Sequence, residues 1–307
     1  MEKSEKKSFS RTLIKIAGAA LLVLAVWLML SDKPLEGLEN TFGGHENEIV
    51  FEDGLTVTFI DVGQGDSALV VCDDSTMLID GGEPGREDDV MRVLRSAGIR
   101  KLDCVVATHP HSDHIGTLSA VIDGFKPSKL YMPYIPDEYV PELRCYDTMM
   151  YEVQDEGTEI VNPSAGDEFM LGSARFTVLG PCAADSEDIN NMSLVMRLDY
   201  GESSFLFTGD AGYGEETGIL SSGADIDCDV LKAGHHGSSD SSCESFLSAV
   251  TPDYCVISVG ADNDYGHPGK KFISRILEYT DKIYRTDYCG NIIMASDGKK
   301  ITVSFES

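Results

Sequence analysis

Three of the chain's seven histidines stand in one short stretch, Thr108-His109-Pro110-His111-Ser112-Asp113-His114-Ile115-Gly116, and this stretch constrains the fold more than any other. It follows Leu102-Asp103-Cys104-Val105-Val106-Ala107, an apolar, β-branched run that reads as a buried strand. Metal-ligating side chains therefore sit where a strand ends. Alternate residues of an extended segment point the same way, so His109 and His111 can grip one cation, while a turn after Ser112 aims Asp113 and His114 elsewhere. One loop can serve two metals. Imidazole nitrogens and a carboxylate suit zinc, with manganese or iron where oxygen ligands accumulate.

The same device recurs down the chain. Leu78-Ile79-Asp80-Gly81-Gly82 and Phe207-Thr208-Gly209-Asp210 are apolar runs that stop at a carboxylate, and Val230-Leu231-Lys232-Ala233-Gly234 runs into His235 and His236. A strand over Tyr254 to Val259 leads to the loop that holds His267, so only His45 among the histidines lies away from a strand end. Together His109, His111, Asp113, His114, Asp210 and one or both of His235 and His236 offer enough nitrogen and oxygen donors for two divalent metal ions. Asp210, alone at its strand end, suits a bridging role. A hydroxide between two dications forms near neutral pH and attacks without a serine or cysteine, which predicts hydrolysis.

The rest of the pattern alternates strands with helices. Strands flank the Gly63-Gln64-Gly65 turn, apolar residues of Asp89 to Ala97 and Ile115 to Ile122 have helical spacing, and Lys129 to Tyr151 reads as an edge strand followed by a helix. The aromatic residues of that segment make it a candidate wall of the substrate cleft. A hairpin is predicted over Phe169 to Leu179, strands over Leu194 to Leu198 and Ser204 to Phe207, a helix over Lys270 to Tyr279, and closing strands over Asn291 to Ala295 and Lys300 to Phe305.

A formal net charge of -28 over 307 residues disfavours binding to long polyanions, because nucleic-acid binders normally carry a basic stripe. A nucleic-acid substrate must be held mainly by metals and a local basic patch. The eight cysteines show no Cys-x-x-Cys spacing and are predicted to be mostly free thiols. No phosphate-binding Walker loop, dinucleotide fingerprint or serine nucleophile elbow is present.

The N-terminal part has its own logic. Residues 1–12 form a basic tail, 13–30 an apolar segment just long enough to span hydrocarbon, and 31–53 a polar linker with glycine and proline. Basic residues before the span and acidic ones after it predict an uncleaved signal anchor, a single-pass protein of the cell membrane with its C-terminal domain outside. The globular part is then 54–306.

Several of these stretches carry a family likeness. Thr108 to His114 with the upstream Leu78-Ile79-Asp80-Gly81-Gly82 resembles the metallo-β-lactamase superfamily. Phe59 to Ser67, Asn190-Asn191-Met192-Ser193-Leu194, Phe207 to Asp210, Val230 to Ser238 and Tyr265-Gly266-His267-Pro268 resemble the metallo-hydrolase domain of ComEC-like competence proteins and their stand-alone relatives. The resemblance implies an α/β four-layer αββα sandwich over residues 54–306, here preceded by a single transmembrane helix. It implies His109 and His111 on one metal, Asp113 and His114 on the other, Asp210 between them, and His235 or His236 completing the second site. His235 is favoured because it comes first after the strand, leaving His236 to touch substrate or support the ligands. His267 is expected to bind substrate or protonate a leaving group, and Asp80 to orient the histidine loop. Asp61, Asp66, Asn191 and Lys232 are the further candidate supporting residues. The superfamily's additional histidine between the loop and the bridging aspartate is absent, so Asn190 or Asn191, or water, is expected in its place and manganese becomes an alternative to zinc. The implied activity is metal-dependent phosphodiester hydrolysis, on DNA or on a cell-wall or small-molecule phosphate ester. The alternatives are β-lactam or other amide hydrolysis, and a non-catalytic DNA-uptake or cell-wall component.

Overall fold

A computed structural model describes residues 54–182 and 188–306. The expected anchor at 13–30 and the linker at 31–53 lie outside the described residues, among which no helix is long and apolar enough to cross a membrane.

The chain begins with β1 (Leu55–Phe59), β2 (Ala68–Cys72) and β3 (Ser75–Ile79), an antiparallel meander whose residues alternate between two apolar surroundings. On β2, Val70 faces one core and Leu69 and Val71 another. A strand buried on both faces reads as a continuous apolar run, and Ala68-Leu69-Val70-Val71-Cys72 is one. Next come α1 (Glu87–Ser96), β4 (Cys104–Val106), α2 (Ser112–Ile115), α3 (Leu118–Phe125), β5 (Lys129–Tyr131), α4 (Arg144–Glu156) and β6 (Glu159–Val161). Helix α1 buries Val90, Val93 and Leu94 and carries Glu87, Asp88 and Asp89 in its first turn, where the helix dipole favours negative charge.

The second half adds β7 (Glu168–Leu171), β8 (Ala174–Gly180), β9 (Val195–Tyr200), β10 (Ser203–Phe207), α5 (Tyr213–Ser222), β11 (Val230–Lys232), α6 (Glu244–Val250), β12 (Tyr254–Ile257), α7 (Lys270–Ile276), β13 (Ile283–Arg285), α8 (Thr286–Cys289), β14 (Asn291–Ser296) and β15 (Ile301–Glu306). Two sheets result, ordered β15-β14-β1-β2-β3-β4-β5-β6 and β13-β12-β11-β10-β9-β8-β7. Strands β3 to β6 run parallel, as do β10 to β13. The last two strands return to the first sheet, where β14 pairs antiparallel with β1.

Three apolar cores fix the layers. Phe59, Val70, Ile79, Val106, Phe176, Met196, Phe207 and Val256 come from both sheets and fill the space between them. Leu69, Leu78 and Val105 pack outward against Leu94, Leu118 and Val153, while Leu206, Leu231 and Cys255 pack outward against Ile219, Phe246 and Phe272. The order helix, sheet, sheet, helix follows directly. Phe176 is fully buried between Phe169 and Phe207, with ring centroids 5.0 and 6.4 Å away. Phe176→Ala is expected to cost about 3–5 kcal/mol in urea unfolding, and a loss below about 1 kcal/mol would show that this ring does not join the sheets.

Several local expectations change. β5 is not an edge strand, because β6 pairs beyond it. Strand β6, with its burial confined to Val161, has no apolar alternation to betray it. The expected helix after the histidine loop is two pieces, α2 and α3, and the helix at Lys270 stops at Ile276. All eight cysteines are free thiols.

Candidate metal centre

The parallel strands of both sheets deliver their carboxyl ends to one place. Asp80 follows β3, the histidine loop follows β4, Asp210 follows β10, His235 and His236 follow β11, and Ser258 to His267 follow β12. Ligands favour such sites, because loops at strand ends can be shaped while the strands hold them fixed. Gly65 closes the approach from the first sheet. A Cβ there would lie 2.2 Å from the Asp113 carbonyl oxygen, and its φ of +129° favours glycine.

Asp210 divides the site in two. Its Oδ1 stands 3.2 Å from His114 Nε2 and 3.5 Å from His236 Nε2, and His236 Nε2 is 3.3 Å from Asp113 Oδ2. Its Oδ2 faces His109 Nε2 at 3.8 Å, and His109 Nε2 lies 3.0 Å from His111 Nδ1. Two donors of one tetrahedral zinc ion, each about 2.0–2.1 Å from it, stand about 3.3 Å apart, so these spacings fit shared cations. Among the described residues, two donor groups share Asp210, namely Asp113, His114, Asp210 and His236 on one side and His109, His111 and Asp210 on the other, and a third, Asp66, Asp80 and His114, shares His114 with the first.

Unsatisfied atoms point the same way. His114 Nε2, His236 Nε2 and Asp210 Oδ1 are buried and none is satisfied by a hydrogen bond. Three such atoms converging would be costly without a cation to receive them. Burial disfavours the imidazolium of His114, yet the Asp210 and Asp80 carboxylates outweigh it and hold its pKa well above the usual histidine range; Asp210 and Asp66 do the same for His236. Burial and the charge of His114 keep His109 neutral, which suits a ligand.

The far sides of the rings are held. Asp80, itself at a φ of +58°, sets its Oδ2 2.8 Å from His114 Nδ1 and accepts from Thr108 N and Thr108 Oγ1. The Ser258 carbonyl lies 3.0 Å from His236 Nδ1, and Ser193 Oγ lies 3.4 Å from His109 Nδ1 while accepting from Asp210 N. Such contacts fix ring orientation and the tautomer. Behind them Lys232 Nζ pairs with Asp66 Oδ2 at 2.8 Å and donates to the Ala233 carbonyl, and Asp66 Oδ1 is 3.2 Å from His236 Nδ1. Lys232→Met removes the lysine from a buried Asp66, so about 3–5 kcal/mol of stability is expected to be lost in urea unfolding, most of it recovered in the Asp66→Asn/Lys232→Met double variant.

Two sequence expectations need correction here. His236, not His235, joins Asp113, His114 and Asp210. The reason is backbone conformation: His235 and His236 both adopt left-handed φ values, 48° and 54°, which swing the second ring inward and leave His235 with 31% of its side chain exposed. His235 Nε2 instead lies 3.7 Å from Asp210 Oδ2, on the side of His109 and His111. Asn191 does not stand in for the missing histidine. Its Oδ1 accepts from Gly212 N and Glu215 N at the start of α5, and its Nδ2 donates to Asp188. Asp61 also stays outside the donor groups, where it accepts from Gly63 N.

His267 borders the site from the β12 loop, its ring 5.3 Å from that of His235 and 6.3 Å from that of His236. Burial and the charges of His236 and His235 push it down to about 4, so the free ring is neutral at pH 7. Thr108, Ser193 and Ser258 escape sequence reasoning as supporting residues. Only their places beside a histidine, in the Asn190 to Leu194 stretch and at the end of a strand could have marked them.

A helix-sheet-sheet-helix sandwich with two donor groups joined by one carboxylate at its strand ends defines a class of metal-binding hydrolase folds. Residues 60–261 match the metallo-β-lactamase superfamily, and the chain belongs to it. It is 33% identical over 254 residues to ComE operon protein 3 of Bacillus subtilis, covering 77% of this chain and 32% of that protein. It is likewise 33% identical over 251 residues to competence protein ComA of Neisseria gonorrhoeae, covering 81% of this chain and 33% of that protein. The chain spans about a third of the length of these curated relatives. Among solved structures, CmlA, a diiron beta-hydroxylase from Streptomyces venezuelae, superposes with a TM-score of 0.51 at 14% identity over 83% of this chain and 55% of that one, a likeness of fold alone.

Proposed function

We propose that this chain is a metal-dependent phosphodiesterase, acting on DNA or a smaller phosphate diester, and that residues 13–30 anchor it in the cell membrane with the catalytic domain outside. The observation that carries the reading is the pair of donor groups sharing Asp210, with His114 Nε2, His236 Nε2 and Asp210 Oδ1 converging unsatisfied. Competence-related relatives support a nucleic-acid substrate, and the net charge of -28 favours short substrates over long duplexes.

In this reading Asp113, His114, Asp210 and His236 hold one dication, and His109, His111 and Asp210 hold the other. A bound pair supplies Lewis acidity, lowering the pKa of water and neutralising charge on an attacked phosphoryl oxygen; zinc suits the imidazole-rich set and manganese the carboxylate-rich one. The chain's own part is orientation. Asp80 and the Ser258 carbonyl hold His114 and His236 from behind, and Ser193 links His109 to the backbone of Asp210. His235 and His267 stand at the rim, where they contact the substrate's phosphoryl oxygens.

The test is to load the purified full chain with zinc or manganese, count bound metal, and assay bis(p-nitrophenyl) phosphate, single-stranded DNA and a chromogenic β-lactam side by side. Turnover of a diester with two equivalents of metal is expected. Hydrolysis of the β-lactam alone would replace the phosphodiester reading, and metal binding without any turnover would make the chain a non-catalytic component. Release of the intact chain from membranes by high salt alone would overturn the anchor.

A further inference from the structure

Beside the donor groups, the loop after β12 carries an exposed aromatic ring that the metal site does not use. Tyr265 is 70% exposed, and its ring stacks on His267 with centroids 5.8 Å apart and planes 24° from parallel. His267 in turn meets His235 edge to face. Tyr265 therefore stands one imidazole away from the residues that face Asp210. An isolated exposed tyrosine needs no explanation, but this one is held in place. Asn263 donates to the carbonyls of Gly260 and His267 and accepts from His267 N, and Gly260 N donates to Gln64 Oε1 on the first sheet's turn. The loop is braced beside His267, whose ring lies offset against that of Tyr265, and most of the tyrosine ring is open to a ligand.

The geometry points to a ring-binding subsite at Tyr265 that takes the base of a nucleoside phosphate whose phosphoryl group lies at the Asp210 donor groups. Aromatic side chains bind bases by stacking, which tolerates any base because each has a π-face. The exposed Asp262 and Asp264 precede the tyrosine in the same loop, and their charge disfavours additional phosphates near it, so the subsite suits one nucleoside rather than a continuous strand. This deepens the phosphodiesterase reading and rests on it for the position of the phosphoryl group. Turnover is not needed to test it.

The experiment is calorimetric titration of the zinc-loaded full chain with adenosine 5′-monophosphate and with methyl phosphate, repeated for Tyr265→Phe and Tyr265→Leu. Stacking predicts that the nucleotide binds about 5- to 150-fold more tightly than methyl phosphate. Tyr265→Phe is expected to keep most of this advantage and Tyr265→Leu to lose it, with methyl phosphate binding unchanged in both. Equal affinity for the two ligands, an advantage that survives Tyr265→Leu, or failure of the nucleotide to bind would each overturn the subsite. If the nucleotide preference appears and depends on Tyr265 while no diester is hydrolysed, the subsite stands and the catalytic reading falls. Weakening of both ligands alike in Tyr265→Leu would mean that the tyrosine only positions His267, and would also overturn it.

Discussion

Asp210→Ala is expected to abolish diester turnover, by at least about a thousandfold, and to lower bound metal in both donor groups at once. The magnitude follows from Lewis-acid stabilisation worth several kcal/mol, each 1.36 kcal/mol being tenfold in rate. The breadth follows from geometry. Oδ1 faces His114 and His236 while Oδ2 faces His109, so one substitution reaches both sides. Elemental analysis after desalting, alongside an assay with bis(p-nitrophenyl) phosphate, measures both quantities. A variant that kept two tightly bound equivalents would show that Asp210 is not shared.

His236→Ala and His235→Ala are expected to differ although they are neighbours. His236 is fully enclosed with Asp113, His114 and Asp210, so its loss is expected to remove one equivalent of metal and about a thousandfold in turnover. His235 lies at the rim, and its loss is expected to leave that equivalent bound and to reduce turnover by about 10- to 100-fold through weaker contact with substrate. Metal content separates the two cases even if both variants are slow. Retention of metal in His236→Ala with loss in His235→Ala would reverse the assignment.

The contrast also marks how far sequence reasoning reached. The histidine loop, Asp80, Asp210 and the histidine pair are legible because each follows a short apolar strand, and strands of a parallel sheet bring such ends together. Which member of the pair points inward is not legible. It depends on two consecutive left-handed residues, a conformation that costs about 1–3 kcal/mol each in a residue other than glycine, and no local pattern announces it. Asn191 failed as a stand-in for a similar reason, since the helix start at Gly212 that claims its carbonyl belongs to α5, which the sequence reading did not find. The central strands were readable from their apolar runs. The peripheral β6 and β13 were not, being three residues each with little full burial.

The return of the last strands to the first sheet has a consequence in time. β1 lies in the interior of its sheet only because β14 pairs with it, and Asp61 N reaches the side chain of Asn291, 230 positions away. During synthesis the meander of β1, β2 and β3 can form early, but β1 must wait with one row of backbone groups bare until Asn291–Ser296 has emerged. A chain that stops short of residue 291 therefore leaves β1 with an open, apolar edge, prone to join another copy of itself. Pairing of β14 with β1, rather than occupation of the site, is the step that covers the edge of the meander.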